Sequence, residues 1–182
     1  MGKIIGFLRL IIMKPFLNKC GSLSYLMKPC YVSGLKRISL GQKVRIYPGA
    51  RIESLGGDIH IDDDVSIGQN LHLISKSKVF IGPKTTISSN VFISDVNHEY
   101  EKIDTHIMYQ ELKISNTIIG SNCFIGVGST ILPGTKLGKQ NIVGANSVVR
   151  GIFPDYCVIA GSPGKIIKRY DEVTNKWIKV DE

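Results

Sequence analysis

His98 stands among Asp95, Asn97, Glu99 and Tyr100 in the segment SDVNHEYEKIDTHIMYQELKISNT, a neighbourhood suited to moving a proton. An imidazole ordinarily titrates near ~6.5, so it can take a proton at neutral pH and return it within one reaction. A neighbouring carboxylate would orient it, and Asp95 is the candidate. The competing reading is a solvated loop histidine. His106 shares the segment without the polar neighbours. His60 lies between Ile59 and Ile61, and His72 between Leu71 and Leu73, so strand alternation points both outward as surface or contact side chains. Zinc would need three converging imidazoles and an open position. Two histidines share this segment, two lie well upstream, and no cysteine clusters with them, so no metal is expected. Neither a GxSxG elbow nor a P-loop occurs.

The segment interrupts a repeat. Aliphatic residues recur every six positions at Leu40, Ile46 and Ile52, at Ile61, Ile67 and Leu73, and at Ile81, Ile87 and Ile93. They resume at Ile119, Ile125, Ile131, Leu137, Val143 and Val149. The next residue is often Gly or acidic, and four places on a small or β-branched residue recurs, as at Val44, Ala50, Val65 and Ser129. A period of six fits neither a helix nor a hairpin array; it is a signature of a parallel β-helix. One aliphatic per rung would point inward and stack on its equivalent in the next coil. The longer steps from Ile52 to Ile61 and from Leu73 to Ile81 suggest bulged corners, with Gly56-Gly57 at the first. Between Ile93 and Ile119 about twenty residues leave the coil, and loops of that length within a compact repeat are usually functional.

A chain of 182 residues allows one domain with a sizeable core. The net charge of +8 suggests an anionic ligand, an acidic membrane surface or nucleic acid. Nucleic acid is the weakest of these, because no long basic run or reader motif is present. Cys20, Cys30, Cys123 and Cys157 form no CxxC pair and read as free thiols of a reducing cytoplasm. Residues 4–12 are apolar but too short to span a bilayer, and Arg9 interrupts them. Ile4, Phe7, Leu8, Ile11 and Ile12 share a helical face, expected to cap the open end of the β-helix. The alternative is an interfacial helix touching a membrane through residues 3–14. The expected organisation is an N-terminal capping segment (1–37), a repeat region (38–162) with a catalytic loop (94–118), and a C-terminal tail (163–182).

The segments DVNHEY, TIIGSNCFIGVGSTILPGTKLGKQNIVGANSVV and VIAGSPGKIIKRY resemble the hexapeptide-repeat acetyltransferases, over residues from about 38 to 170. The nearest group is the sugar and polysaccharide O-acetyltransferases of capsule, lipopolysaccharide and exopolysaccharide pathways. The resemblance implies an all-β, left-handed parallel β-helix of triangular section that forms homotrimers. Acetyl-coenzyme A would lie between neighbouring subunits, with the catalytic histidine at His98. Asn70 in GQNLHL matches an acceptor-positioning asparagine, and Tyr100 and Phe124 fall on the acceptor side. Phe124 stands where galactoside and maltose acetyltransferases have tryptophan, and Val127 where they have serine, so the indole N–H and the hydroxyl are lost. Ala145 matches a small residue beside the pantetheine, Arg150 a stretch near the nucleotide end, and Lys165 and Lys168 the basic residues near the nucleotide phosphates. Arg169 has no matching position, and Asp95 has no counterpart in those enzymes. The implied activity is acetyl transfer to a sugar hydroxyl in the cytoplasm or at the inner face of its membrane. N-acetylation of an amino sugar nucleotide, acetylation of a chloramphenicol-type xenobiotic, and a non-catalytic β-helical binding module are the alternatives. A serine acetyltransferase is disfavoured, since the residues before the repeat cannot supply its large helical domain.

Overall fold

The computed structural model describes residues 2–180, so position 1 of the expected N-terminal segment and 181–182 of the expected tail lie outside it. The chain winds as a parallel β-helix whose short strands fall into three sheets. One coil runs through Asp58–Ile61, Ser66–Ile67 and His72–Ser75; the next through Lys78–Ile81, Thr86–Ile87 and Phe92–Ser94. Each strand pairs in parallel with its equivalent one coil on, so Ile61 lies on Ile81, Ile67 on Ile87 and Leu73 on Ile93. Those six side chains are at most 1% exposed. The period of six is therefore the length of one side plus its corner.

Corners explain the other recurring residues. Asn70, Asn90, Asn122 and Asn146 adopt φ between +55° and +59°, the left-handed conformation that asparagine tolerates better than most residues. Adjacent coils come so close that a Cβ on Gly120 would lie 2.5 Å from the Gly138 carbonyl oxygen. Buried corner hydroxyls are satisfied, Thr85 Oγ1 donating to Gly120 O at 2.9 Å and Ser129 Oγ to Gly144 O at 2.9 Å, whereas Nδ2 of the buried corner residue Asn141 has no partner.

The N-terminal expectation needs two corrections. First, the β-helix begins inside residues 1–37. Lys19–Cys20, Tyr25–Leu26 and Tyr31–Ser33 form a complete coil, with Cys20, Leu26 and Val32 registered on Leu40, Ile46 and Ile52. These three also lie six apart, but a cysteine at the first place hides the repeat from an aliphatic count. Second, the helix Gly2–Met13 packs on strand Tyr25–Leu26 through Gly6, Phe7 and Leu10, whereas Ile4, Leu8, Ile11 and Ile12 face solvent. At the far end, Gly164–Asp171 and Lys176–Lys179 turn back antiparallel on Cys157–Gly161 and extend the second sheet, so the tail is strand rather than loose chain.

Candidate active site

The chain leaves the coil after Ser94 and returns at Thr117, at the corner between the third sheet and the first. The excursion is a hairpin: Val96–His98 pairs antiparallel with Leu112–Ile114, and His98 lies opposite Leu112. Its base is pinned by Ser94, whose hydroxyl donates to Val96 O at 3.0 Å and accepts from Val96 N at 3.1 Å. Its tip is organised by Gln110, which accepts from Lys102 N at 3.0 Å and donates to Lys102 O and Thr105 O at 3.1 and 3.0 Å. His106 caps the short helical turn Ile107–Tyr109 by accepting from Met108 N at 3.2 Å, a structural role.

His98 is half-buried at the lip of a cavity of about 440 Å³ lined by Leu55, Ile74, Phe92, Met108 and Leu112. Its backbone N–H donates to Asn97 Oδ1 at 3.0 Å, while its side-chain Nδ1 is buried without a hydrogen-bond partner. Because Nδ1 is closed to an atom the size of a water oxygen, the nitrogen open to a ligand's hydroxyl is Nε2, which is not sealed in this way. A larger hollow of about 490 Å³, beside Phe16, Val32 and Leu35, holds no titratable side chain but Lys36 and Arg37 and carries no catalytic argument.

Asp95 does not orient His98. Its carboxylate is fully buried and accepts from Ser75 Oγ at 2.9 Å, Lys76 N at 2.7 Å and Ser77 N at 2.8 Å. It ties the hairpin's point of departure to the corner of the preceding coil. It sits in the bend between Phe92–Ser94 and Val96–His98, and its hydrogen bonds run to the preceding coil, not to the histidine.

The remaining expected residues fall at two corners and on the sheet between them. Arg150 shares the hairpin's corner, lining a small crevice with Asn97, Lys113 and Ser115, and Tyr100 projects from the hairpin, 74% exposed. Asn70, Val127 and Ala145 lie on the corner between the second and third sheets, where Asn70 donates to Asn90 Oδ1 at 3.0 Å. Phe124, 44% exposed, stands on the second sheet between Thr86 and Ile142.

Val127, Ala145 and Lys165 follow one line along the axis. A Cβ on Gly126 would lie 2.6 Å from Ala145 N, one on Gly144 would lie 3.1 Å from Ala160 Cβ, and Ala160 pairs with Lys165. Lys168 pairs with Val158 on the same strand. Within one chain, then, the histidine and this edge stand at different corners.

The cavity-lining Leu55, Ile74 and Phe92 were not singled out from the sequence, although apolar residues at outward positions of a strand are a readable signal. On the same face Arg51 pairs with Glu53 at 2.5 Å and His72 Nε2 lies 3.4 Å from that carboxylate. The Arg51 guanidinium holds Glu53 below the usual carboxylate range, against the opposing effect of its burial. His60 stacks on Phe80 at 5.2 Å, a surface contact as alternation implied. Among the described residues no three His, Cys, Asp or Glu side chains converge as a metal site would require, and all four cysteines are free.

The bacterial transferase hexapeptide (six repeats) family model matches residues 116–151. WbbJ of Escherichia coli strain K12, named for lipopolysaccharide biosynthesis O-acetyl transfer, is 36% identical over 188 residues, covering 97% of this chain and 94% of that protein. The chain belongs to the hexapeptide-repeat acetyltransferases. Its β-helix is accordingly the left-handed one of that family, and the protein is an acyltransferase. Another relative, the dTDP-4-amino-4,6-dideoxy-D-glucose acyltransferase of Escherichia coli, is 32% identical over 139 residues, covering 74% of this chain and 72% of its own length. Among solved structures, AntD, an N-acyltransferase from Bacillus cereus in complex with dTDP-4-amino-4,6-dideoxyglucose and coenzyme A, superposes with a TM-score of 0.78. It is 19% identical and the match covers 91% of both chains, a likeness of fold.

Proposed function

We propose that the protein is an acetyl-coenzyme A-dependent O-acetyltransferase acting on a sugar hydroxyl of a cell-envelope polysaccharide or its precursor, as a cytoplasmic homotrimer. The single observation that carries the reading is the position of His98, on the hairpin that leaves the coil and at the lip of an apolar cavity. Full-length similarity to WbbJ supports the acceptor class. The separation of His98 from the edge through Val127, Ala145 and Lys165 supports a site completed between copies: a neighbour's edge would face the hairpin. Coenzyme A would run along that edge, its pantetheine beside Val127 and Ala145 and its phosphates toward Lys165 and Lys168, where charge-assisted contacts are strongest.

In the reaction His98 takes the proton of the attacking hydroxyl as its oxygen bonds to the thioester carbonyl carbon. The tetrahedral intermediate then collapses, breaking the carbon–sulfur bond, and the imidazolium returns the proton to the leaving thiolate. Backbone N–H groups near Val127 would serve the oxyanion, worth about 10²–10³-fold. No acyl-enzyme forms. His98→Ala is expected to lower turnover at least ~100-fold with coenzyme A affinity nearly unchanged. Full turnover in that variant removes His98 from the chemistry.

N-acylation of an amino sugar nucleotide is the second reading, favoured by the 32% identity to the dideoxyglucose acyltransferase. Mass spectrometry of the labelled product distinguishes an alkali-labile ester from an alkali-stable amide.

A further inference from the structure

The N-terminal helix presents an apolar face to solvent, and its other face holds it so. Gly6 lies against the Leu26 backbone, where an added Cβ would come 3.2 Å from the carbonyl oxygen. Arg9 Nη1 donates to that same carbonyl at 2.8 Å, Leu10 is buried, and the Phe7 ring meets Tyr25 at 5.5 Å. These contacts fix the helix's rotation about its axis and turn Ile4, Leu8, Ile11 and Ile12 outward at 55 to 72% exposure. Phe16, one turn further, is also exposed.

The charge around this face is one-sided. Residues 1–52 contain ten Lys and Arg and no Asp or Glu, a balance of +10, whereas the rest of the chain balances to −2. Lys14, Lys19 and Lys28 are exposed just beyond the helix and in the first coil.

We propose that this end docks on an anionic membrane surface, with the helix in the plane of the interface and its isoleucines below the headgroups. An interfacial helix needs an apolar strip for insertion and flanking cations for attraction to anionic lipid, and both are present here. A second copy seated on the same face would bring two +10 ends together, which like-charge repulsion opposes. Among the described residues no helix is long and apolar enough to cross a membrane. Given the activity proposed above, docking has a consequence. The hairpin leaves the fourth coil, three inter-strand steps from the first, a rise of roughly 15 Å. A sugar carried on a lipid would come within reach of His98.

The test is co-sedimentation of the full chain with vesicles of phosphatidylcholine alone or with about one-third phosphatidylglycerol. It reads binding and not turnover, so it stands apart from the fate of the proposed reaction. Binding is expected to the anionic vesicles, to fall with added salt, and to weaken at least tenfold in an Ile4→Ser/Ile11→Ser double variant. Those positions are exposed, so the variant is expected to fold, and circular dichroism checks it. No binding to anionic vesicles overturns the proposal, as does equal binding by wild type and variant. A fall in oligomer mass of the double variant by light scattering also overturns it, showing a face shared between copies.

Discussion

In the coils, Ile61, Ile81 and Ile119 lie one above another with no exposed surface. In the hairpin, Ile103 and Tyr109 are 84% exposed and Met108 63%. Both regions are rich in large apolar side chains, yet only the coils bury them. A stacked rung finds its partner in the same chain one coil away, so the repeat is self-sufficient. The hairpin has left the stack, and its shape comes from the Gln110 bonds, the Ser94 hydroxyl and the Asp95 carboxylate. An apolar surface of that kind marks an interaction site, and under the function proposed above it would face a neighbouring subunit and the substrate.

Truncation separates the two regions most sharply. Ile87→Ala, in mid-stack, is expected to cost about 2–5 kcal/mol of stability through lost burial and a residual cavity. Met108→Ala, at the hairpin tip, is expected to stay within about 0.5 kcal/mol by denaturant titration while impairing use of the acceptor. Equal destabilisation by both would erase the distinction.

A second contrast lies in alkaline stability. Burial pushes the Cys123 thiol from its ordinary value of 9.0 up to about 11, and burial raises Cys157 in the same direction. The folded protein therefore keeps protons that the unfolded chain has released. The Cys123 contribution, roughly 2–3 kcal/mol, is complete below pH 9 and is lost as pH climbs from about 9 to 11. Tyr25, pushed by burial from 10.0 to about 12, extends the fall to higher pH. In Cys123→Ala the Cys123 share of the slope should vanish, leaving what Cys157 and Tyr25 contribute. A slope of unchanged size would place the titrating group elsewhere.

Asp95 tests how the hairpin is joined to the coils. Asp95→Asn leaves the N–H groups of Lys76 and Ser77 short of an acceptor and is expected to cost about 1–3 kcal/mol. The pH profile of turnover should keep its midpoint. A moved midpoint would restore Asp95 as the orienter of His98. The smallest effect belongs to the basic edge: Lys165→Ala should raise the KM for acetyl-coenzyme A by roughly threefold to tenfold, and less so at high salt.

Much of the fold could be read from spacing because each buried aliphatic repeats at a fixed step. Gly56-Gly57 marked a real corner between Arg51–Ser54 and Asp58–Ile61 for the same reason. The first coil escaped because Cys20 stands where an aliphatic residue was sought. The helix's rotation escaped because packing was decided by Gly6 and Arg9, one by its lack of a side chain and one by its bond to Leu26 O. The excursion that carries His98 was legible as a break in the repeat, but the partners of Asp95 were not. Sequence proximity says nothing about where a side chain in a bend is drawn, and the Ser75–Ser77 corner of the preceding coil takes the Asp95 carboxylate. The cavity around His98 is assembled from three coil strands and the hairpin, a convergence that only the register of the coils supplies.

In the proposed assembly the hairpin of one copy and the axial edge of another make one site. Mixing two inactive variants, His98→Ala and Val127→Trp, after separate purification and joint refolding tests it directly. Random assembly should leave about one interface in four with both elements intact, and activity should return to roughly a quarter of the wild-type level. Mixtures that stay as inactive as either variant alone would contradict it.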